Sequence, residues 1–134
     1  VDGFVFRGDD GLDEITLATT TSVLSIGDGT ISSDRIGPAD FGFSTAPISA
    51  LVGGDANENS RITRAIFAGE RGAPRDAVLL NAAAAIAAYE GDLKSDIHER
   101  LQVGLKRATD AVDTGKATTL LNQWATLTQN LASN

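Results

Sequence analysis

The chain has no cysteine and no methionine, and only one histidine, one tryptophan and one tyrosine among its 134 residues. Absent cysteine removes disulfide frameworks, thiolate zinc sites and cysteine nucleophiles in one step. His98 is the sole imidazole, so most histidine-built metal sites go too, and acid–base chemistry falls to that ring or to carboxylates. Basic residues are scarce as well: 11 Lys and Arg face 18 Asp and Glu, a formal net charge of −7. A surface of that sign repels phosphate backbones and anionic headgroups, which argues against nucleic acid and against membranes as partners. No apolar run approaches the ~20 residues that cross a bilayer, and no basic stretch leads into an apolar one. A soluble, cytoplasmic protein is expected. With no methionine and with Val1 running straight into an apolar stretch, the sequence reads as a fragment lacking its natural start.

What is present changes character along the chain. Nine of the 14 glycines fall before residue 55 and five after it, so a β-and-loop part gives way to a helical one. Phe4, Val5 and Phe6 form an apolar run too short for a helix, which predicts a strand over 1–7 buried on both faces. β-Branched residues crowd 16–26, Gly27-Asp28-Gly29 signals a turn, and 30–36 returns antiparallel as a hairpin. Beyond Gly37-Pro38 the spacing turns helical. Pro47 opens a short helix that Gly53-Gly54 ends, and Asp55 caps another to about Ala68. Ala73-Pro74-Arg75-Asp76 leads into 77–89, so apolar that burial on most sides is expected. Ile97, Leu101, Leu105, Ala108 and Val112 recur at helical spacing before Gly115, and Ala117, Leu120, Leu121, Trp124, Leu127 and Leu131 stripe a last helix.

These signals sum to an α/β fold: one buried strand and a hairpin followed by about five helices. Residues 1–46 carry the strands and an acidic loop, and residues 47–134 the helices, all within one domain. Three strands offer little area to cover a helix as apolar as 77–89. The first strand is therefore expected to lie inside a larger sheet whose other strands precede the sequence.

The densest chemical signal is Gly8-Asp9-Asp10-Gly11-Leu12-Asp13-Glu14, with four carboxylates within six positions. They repel one another unless something positive sits among them. Adjacent hard oxygens with no nitrogen or sulfur donor suit Mg²⁺, which takes one or two protein carboxylates and completes its shell with water and substrate phosphate. The loop also leaves the first strand at its carboxyl end, where sheets with crossover connections collect ligands. A solvated acidic turn accounts for the same residues, because Asp and Gly favour turns on backbone grounds alone. The hydroxyls of Thr16, Thr19, Thr20, Thr21 and Ser22 read better as strand filling than as phosphate contacts. Asp55 reads as a helix cap, His98 as surface, and Arg71 and Arg75, flanking Gly72, as solvated or ion-paired loop charges.

The order of motifs goes further than any one of them. Gly8-Asp9-Asp10-Gly11-Leu12-Asp13-Glu14-Ile15, then Asp40-Phe41-Gly42, Gly53-Gly54-Asp55-Ala56 with Asn59, and Arg75-Asp76-Ala77-Val78-Leu79-Leu80-Asn81-Ala82-Ala83 follow one another. Gly104, Ala108, Ala111, Asp113 and Gly115-Lys116-Ala117 complete the series. In this order they resemble the C-terminal part of the large α/β domain of the anthranilate phosphoribosyltransferase family, a nucleoside phosphorylase/phosphoribosyltransferase-type domain. The resemblance implies transfer of the phosphoribosyl group of phosphoribosyl pyrophosphate to anthranilate in tryptophan biosynthesis, giving N-(5-phosphoribosyl)anthranilate and pyrophosphate. It places Mg²⁺ at the Asp-Glu pair, here Asp13 and Glu14, with Asp9 and Asp10 shaping the loop. It also implies that the phosphate loop and the anthranilate-contacting residues belong to an upstream part of the same chain, so no catalytic residue is assigned here. A homodimer joined through an N-terminal helical domain is implied too. Arg7 departs from the pattern, which often has histidine before the glycine. Two other readings use a similar fold: a pyrimidine nucleoside phosphorylase, whose substrate motifs are not seen, and a nucleic-acid-binding relative, which the charge of −7 disfavours.

Overall fold

Alternation of side chains, more than their average hydropathy, decides how the first part of the chain folds. A computed structural model describes residues 3–91 and 95–133. It has β1 (Gly3–Gly8), β2 (Thr21–Gly27) and β3 (Thr30–Ile36), then α1 (Ala56–Phe67), α2 (Ala73–Glu90), α3 (Ile97–Asp113) and α4 (Lys116–Ala132). Single 3₁₀ turns at Pro38–Phe41 and Ile48–Leu51 link the two parts. The strands form one antiparallel sheet in the order β1-β2-β3. β2 and β3 are joined by Asp28 and Gly29, both at positive φ (49° and 73°), as the two-residue turn that matches strand twist requires.

Three expectations change here. Among the described residues β1 pairs with β2 alone and helices cover only one side of the sheet: Phe4 and Phe6 pack toward the core while Val5 is 52% exposed. Val1 and Asp2, expected to begin it, lie outside the described residues. The second strand starts at Thr21 rather than residue 16, because residues 15–20 form a loop whose hydroxyls bind the local backbone. The helix expected from Pro47 is a single 3₁₀ turn for which Pro47 is the N-cap.

The main core lies between the sheet's inner face, the loop after β1 and the helices, around Ile15, Leu17, Val23, Ile36, Leu80 and Leu101. α1 begins as expected, with the Asp55 carboxylate accepting from the Glu58 N–H at 2.9 Å. α2 packs along α3 so closely that a Cβ at Gly104 would run into the Ala83 carbonyl, with the carbonyl carbon at 2.9 Å. α2 is not buried on most sides: Leu79, Leu80, Ala83, Ala84 and Ala87 face inward, whereas Val78 and Ala85 are exposed and Tyr89 is 93% exposed. The helical spacing of α3 holds, with Ile97, Leu101, Ala108 and Val112 all buried. Among the described residues, no helix is long and apolar enough to cross a membrane.

Candidate functional site

The residues between β1 and β2 form a loop built largely from its own polar groups. Gly8 lies under the loop, and a Cβ there would meet the Asp10 carboxylate and come within 3.1 Å of Thr16 Cγ2. The Gly8 N–H donates to the Leu12 carbonyl at 2.8 Å and the Gly11 N–H to the Gly8 carbonyl at 2.9 Å, with Gly11 at φ 95°. Asp10 accepts from the Leu12 N–H at 3.2 Å and from the Thr16 hydroxyl at 2.5 Å. Thr16, fully buried, accepts in turn from the Ala18 N–H at 2.9 Å. Asp9 accepts from the Thr20 hydroxyl and from Arg35 Nη2 at 3.2 Å. Two of the four neighbouring carboxylates are thus engaged by donors, one of them a guanidinium, which relieves the crowding of like charge.

Asp13 and Glu14 are different. Both are exposed, and among the described residues neither carboxylate accepts a hydrogen bond or joins an ion pair. The chain on either side of them is held fast: Leu12 by Gly8 and Asp10, and Ile15, only 2% exposed, by the core and by Asn81. Glu14 lines a cleft of about 300 Å³ with Asn59, Pro74 and Asn81. Among the described residues no cluster of three or more metal-ligating side chains exists. Two exposed, sequence-adjacent hard carboxylates, of which Glu14 lines the cleft, suit an ion that keeps several waters and takes the rest of its shell from a phosphorylated ligand, the habit of Mg²⁺. Every described strand pairing is antiparallel, so the described strands contain no crossover connection at this loop. The loop stands instead at the sheet end where β1 finishes, β2 starts and β3 finishes.

The other singled-out residues fall away from this pair. His98 is half-exposed, stacks on Phe41 with ring centroids 6.1 Å apart, and stands 3.6 Å from an Asp40 carboxylate oxygen. Arg75 is ion-paired, one of the two outcomes expected, but from a helix and not a loop: it lies in α2, 2% exposed, donating to Asp113 of α3 at 2.6 Å. Beside it, burial pushes the Asp76 carboxyl above the ordinary carboxylate range despite Arg75 and Arg71. On α1 the Arg61 guanidinium holds Glu58 below that range. Arg7 is exposed on β1. Two residues important to the loop escaped sequence reading. Arg35 reaches Asp9 only through the hairpin register that pairs it with Ser22. Asn81 signals itself faintly, as the one amide in an otherwise apolar helical stretch.

The fold and this loop define a class. Residues 1–118 match the family described as the glycosyl transferase family a/b domain, and the chain belongs to that family. It is 47% identical over 130 residues to an anthranilate phosphoribosyltransferase of Rhodococcus jostii, covering 97% of this chain and 36% of that relative. A solved anthranilate phosphoribosyltransferase from Thermus thermophilus superposes with a TM-score of 0.76 at 32% identity, over 92% of this chain and 35% of that one. The Saccharomyces cerevisiae enzyme, solved in complex with PRPP and Mg, shares the fold with a TM-score of 0.77 at 23% identity, over 90% of this chain and 33% of that one. The chain therefore spans about a third of the length of the relatives it matches.

Proposed function

We propose that this chain is the C-terminal part of a cytoplasmic, Mg²⁺-dependent anthranilate phosphoribosyltransferase, and that Asp13 and Glu14 hold the ion. The remainder of such an enzyme supplies the phosphate loop, the anthranilate contacts and the helical domain through which a homodimer forms. Residues 1–46 and 47–134 are the strand-and-loop and helical parts of one domain. The observation that carries the reading is the division of labour in the acidic loop: Asp9 and Asp10 are engaged by the protein, and the adjacent Asp13 and Glu14 have no partner among the described residues. The matched relatives support the transferase over the phosphorylase, since they carry the transferase's name.

Bound there, Mg²⁺ supplies positive charge against the negative charge that builds on pyrophosphate as it leaves the sugar. The protein's own part is to hold the chain on either side of two exposed, sequence-adjacent carboxylates. Thr16 and Thr20 hold the first two acids of the loop, and Arg35 neutralises one of them, so the second two meet the ion without having to be drawn from other partners. That arrangement needs no protein nucleophile.

The test is Asp13→Asn and Glu14→Gln in the full-length enzyme that contains these residues, assayed by pyrophosphate release against Mg²⁺ concentration. Each change is expected to lower kcat/KM by about a hundredfold, the scale of losing one preorganised electrostatic contact, and to raise the Mg²⁺ requirement. The melting temperature should stay in place, because both side chains are exposed and without a partner among the described residues. Unchanged turnover and Mg²⁺ dependence in both variants would refute the assignment.

A further inference from the structure

Resting on that reading of Asp13 and Glu14, we propose that Asn81 is a positioning residue for the metal pair. Its carboxamide, reaching across from α2, fixes the peptide that follows Glu14 and so sets the direction in which Glu14 presents its carboxylate.

The geometry is specific. Asn81 Oδ1 accepts from the Ile15 N–H at 2.9 Å, and Asn81 Nδ2 donates to the Ile15 carbonyl at 3.0 Å. One side-chain amide therefore does for Ile15 what a neighbouring strand would do, at a point where the chain has left the sheet. The same Nδ2 also donates to the Ala77 carbonyl, one helical turn earlier, at 3.0 Å. That third bond fixes which way the amide faces: turned over, it would set an NH₂ against the Ile15 N–H and an oxygen against two carbonyls.

The consequence reaches Glu14 through covalent geometry. The Ile15 N–H and the Glu14 carbonyl share one planar peptide unit. Holding that N–H fixes the plane, while the buried Ile15 side chain fixes the residue after it. Glu14 keeps a free carboxylate on a backbone with little rotation left. Glu14 and Asn81 line the same cleft, so the clamp lies beside the acid it positions. Among the described residues, Asn81 makes both hydrogen bonds that tie α2 to the acidic loop. Residues that orient metal-binding side chains in this way typically change metal affinity by 10–100-fold when lost.

The experiment uses the full-length enzyme, with Mn²⁺ binding in the presence of phosphoribosyl pyrophosphate followed by electron paramagnetic resonance, alongside Mg²⁺-dependent turnover and thermal melting. Asn81→Ala is compared with Leu79→Val, which loosens the same helix in the separate core cluster of Ala108 and Val112 rather than in the one that holds Ile15. Asn81→Asp is the second variant: it keeps the shape and the acceptor for the Ile15 N–H but turns the donor into an oxygen facing two carbonyls. Both Asn81 variants are expected to weaken Mn²⁺ binding and raise half-saturating Mg²⁺ by about tenfold or more, with Leu79→Val leaving both unchanged. Metal affinity unaltered in a folded Asn81→Asp or Asn81→Ala protein, or altered equally by Leu79→Val at matched loss of melting temperature, overturns the proposal. Asp13→Asn and Glu14→Gln run in parallel separate two failures. If those variants also bind Mn²⁺ normally, the metal reading itself falls; if they do not, only the role of Asn81 does.

Discussion

α2 and α4 are apolar helices of nearly equal length, 18 and 17 residues, yet α2 buries six residues and α4 buries none. The difference lies in their neighbours. α2 lies against α3 and the loop after β1, and its alanines let Gly104 approach the Ala83 backbone directly. α4 turns away after Gly115, at φ 77°, and touches α1 near its start, where the Thr118 hydroxyl donates to the Phe67 carbonyl at 3.3 Å. Beyond that point Leu120, Trp124, Leu127 and Leu131 continue at helical spacing with more than half of each side chain exposed. An apolar stripe records that a face suits burial; only the surrounding chain decides whether it is buried.

If the α2–α3 seam is as tight as it looks, it should be the place where one added methyl does most damage. Gly104→Ala puts a Cβ into the Ala83 carbonyl, and backbone cannot move aside as a side chain can. A loss of about 3 kcal/mol in denaturant unfolding is expected, the upper end for overpacking. A loss under about 1 kcal/mol would show that the helices separate freely. A smaller effect is expected at the seam's other tie. Arg75 is 2% exposed and its Nη1 has no partner among the described residues, so Asp113, itself 41% exposed, supplies the hydrogen bond that its Nη2 makes. Asp113→Ala leaves the guanidinium buried and uncompensated. Removal of a partner from a fully buried pair costs about 3–5 kcal/mol; with one end open to water, about 1–2 kcal/mol is expected. Asp113→Asn, which retains an acceptor, should lose less, and equal losses in the two variants would mean that packing rather than the contact is responsible.

The same contrast explains what was legible beforehand. Local chemistry was readable: the Asp28-Gly29 turn, the Asp55 cap and the periodicity of α3 each rest on interactions within a few residues. The acidic loop was readable as a motif because carboxylate density needs no tertiary information, whereas the choice of Asp13 and Glu14 within it came from the family resemblance alone. What could not be read depends on distant partners. Thr16 looks like strand until its hydroxyl is seen donating to Asp10. Arg75 looks like a loop cation until Asp113 meets it from 38 positions away. Asn81 passes for an odd residue in a helix until its amide is found on Ile15, 66 positions earlier. Burial depends on distant chain in the same way: Phe4-Val5-Phe6 has the composition of a two-sided strand, and among the described residues helices lie over one face of it.

α4 gives the smallest effect and the sharpest check on the comparison. Leu120 and Leu127 are 66% and 56% exposed, so little area returns to water when either is made polar. Leu127→Gln in this chain should change unfolding free energy by no more than about 0.5 kcal/mol, the range for surface positions, against the several expected at Gly104. Trp124 is the only tryptophan and is 64% exposed, so its fluorescence reports on this stripe alone. Its emission should resemble that of tryptophan in water and be quenched by iodide equally in the parent chain and in Leu127→Gln. Protection from iodide, relieved by Leu127→Gln together with a stability loss above about 1 kcal/mol, would mean that the stripe is packed in solution. The contrast between α2 and α4 would then be one of degree.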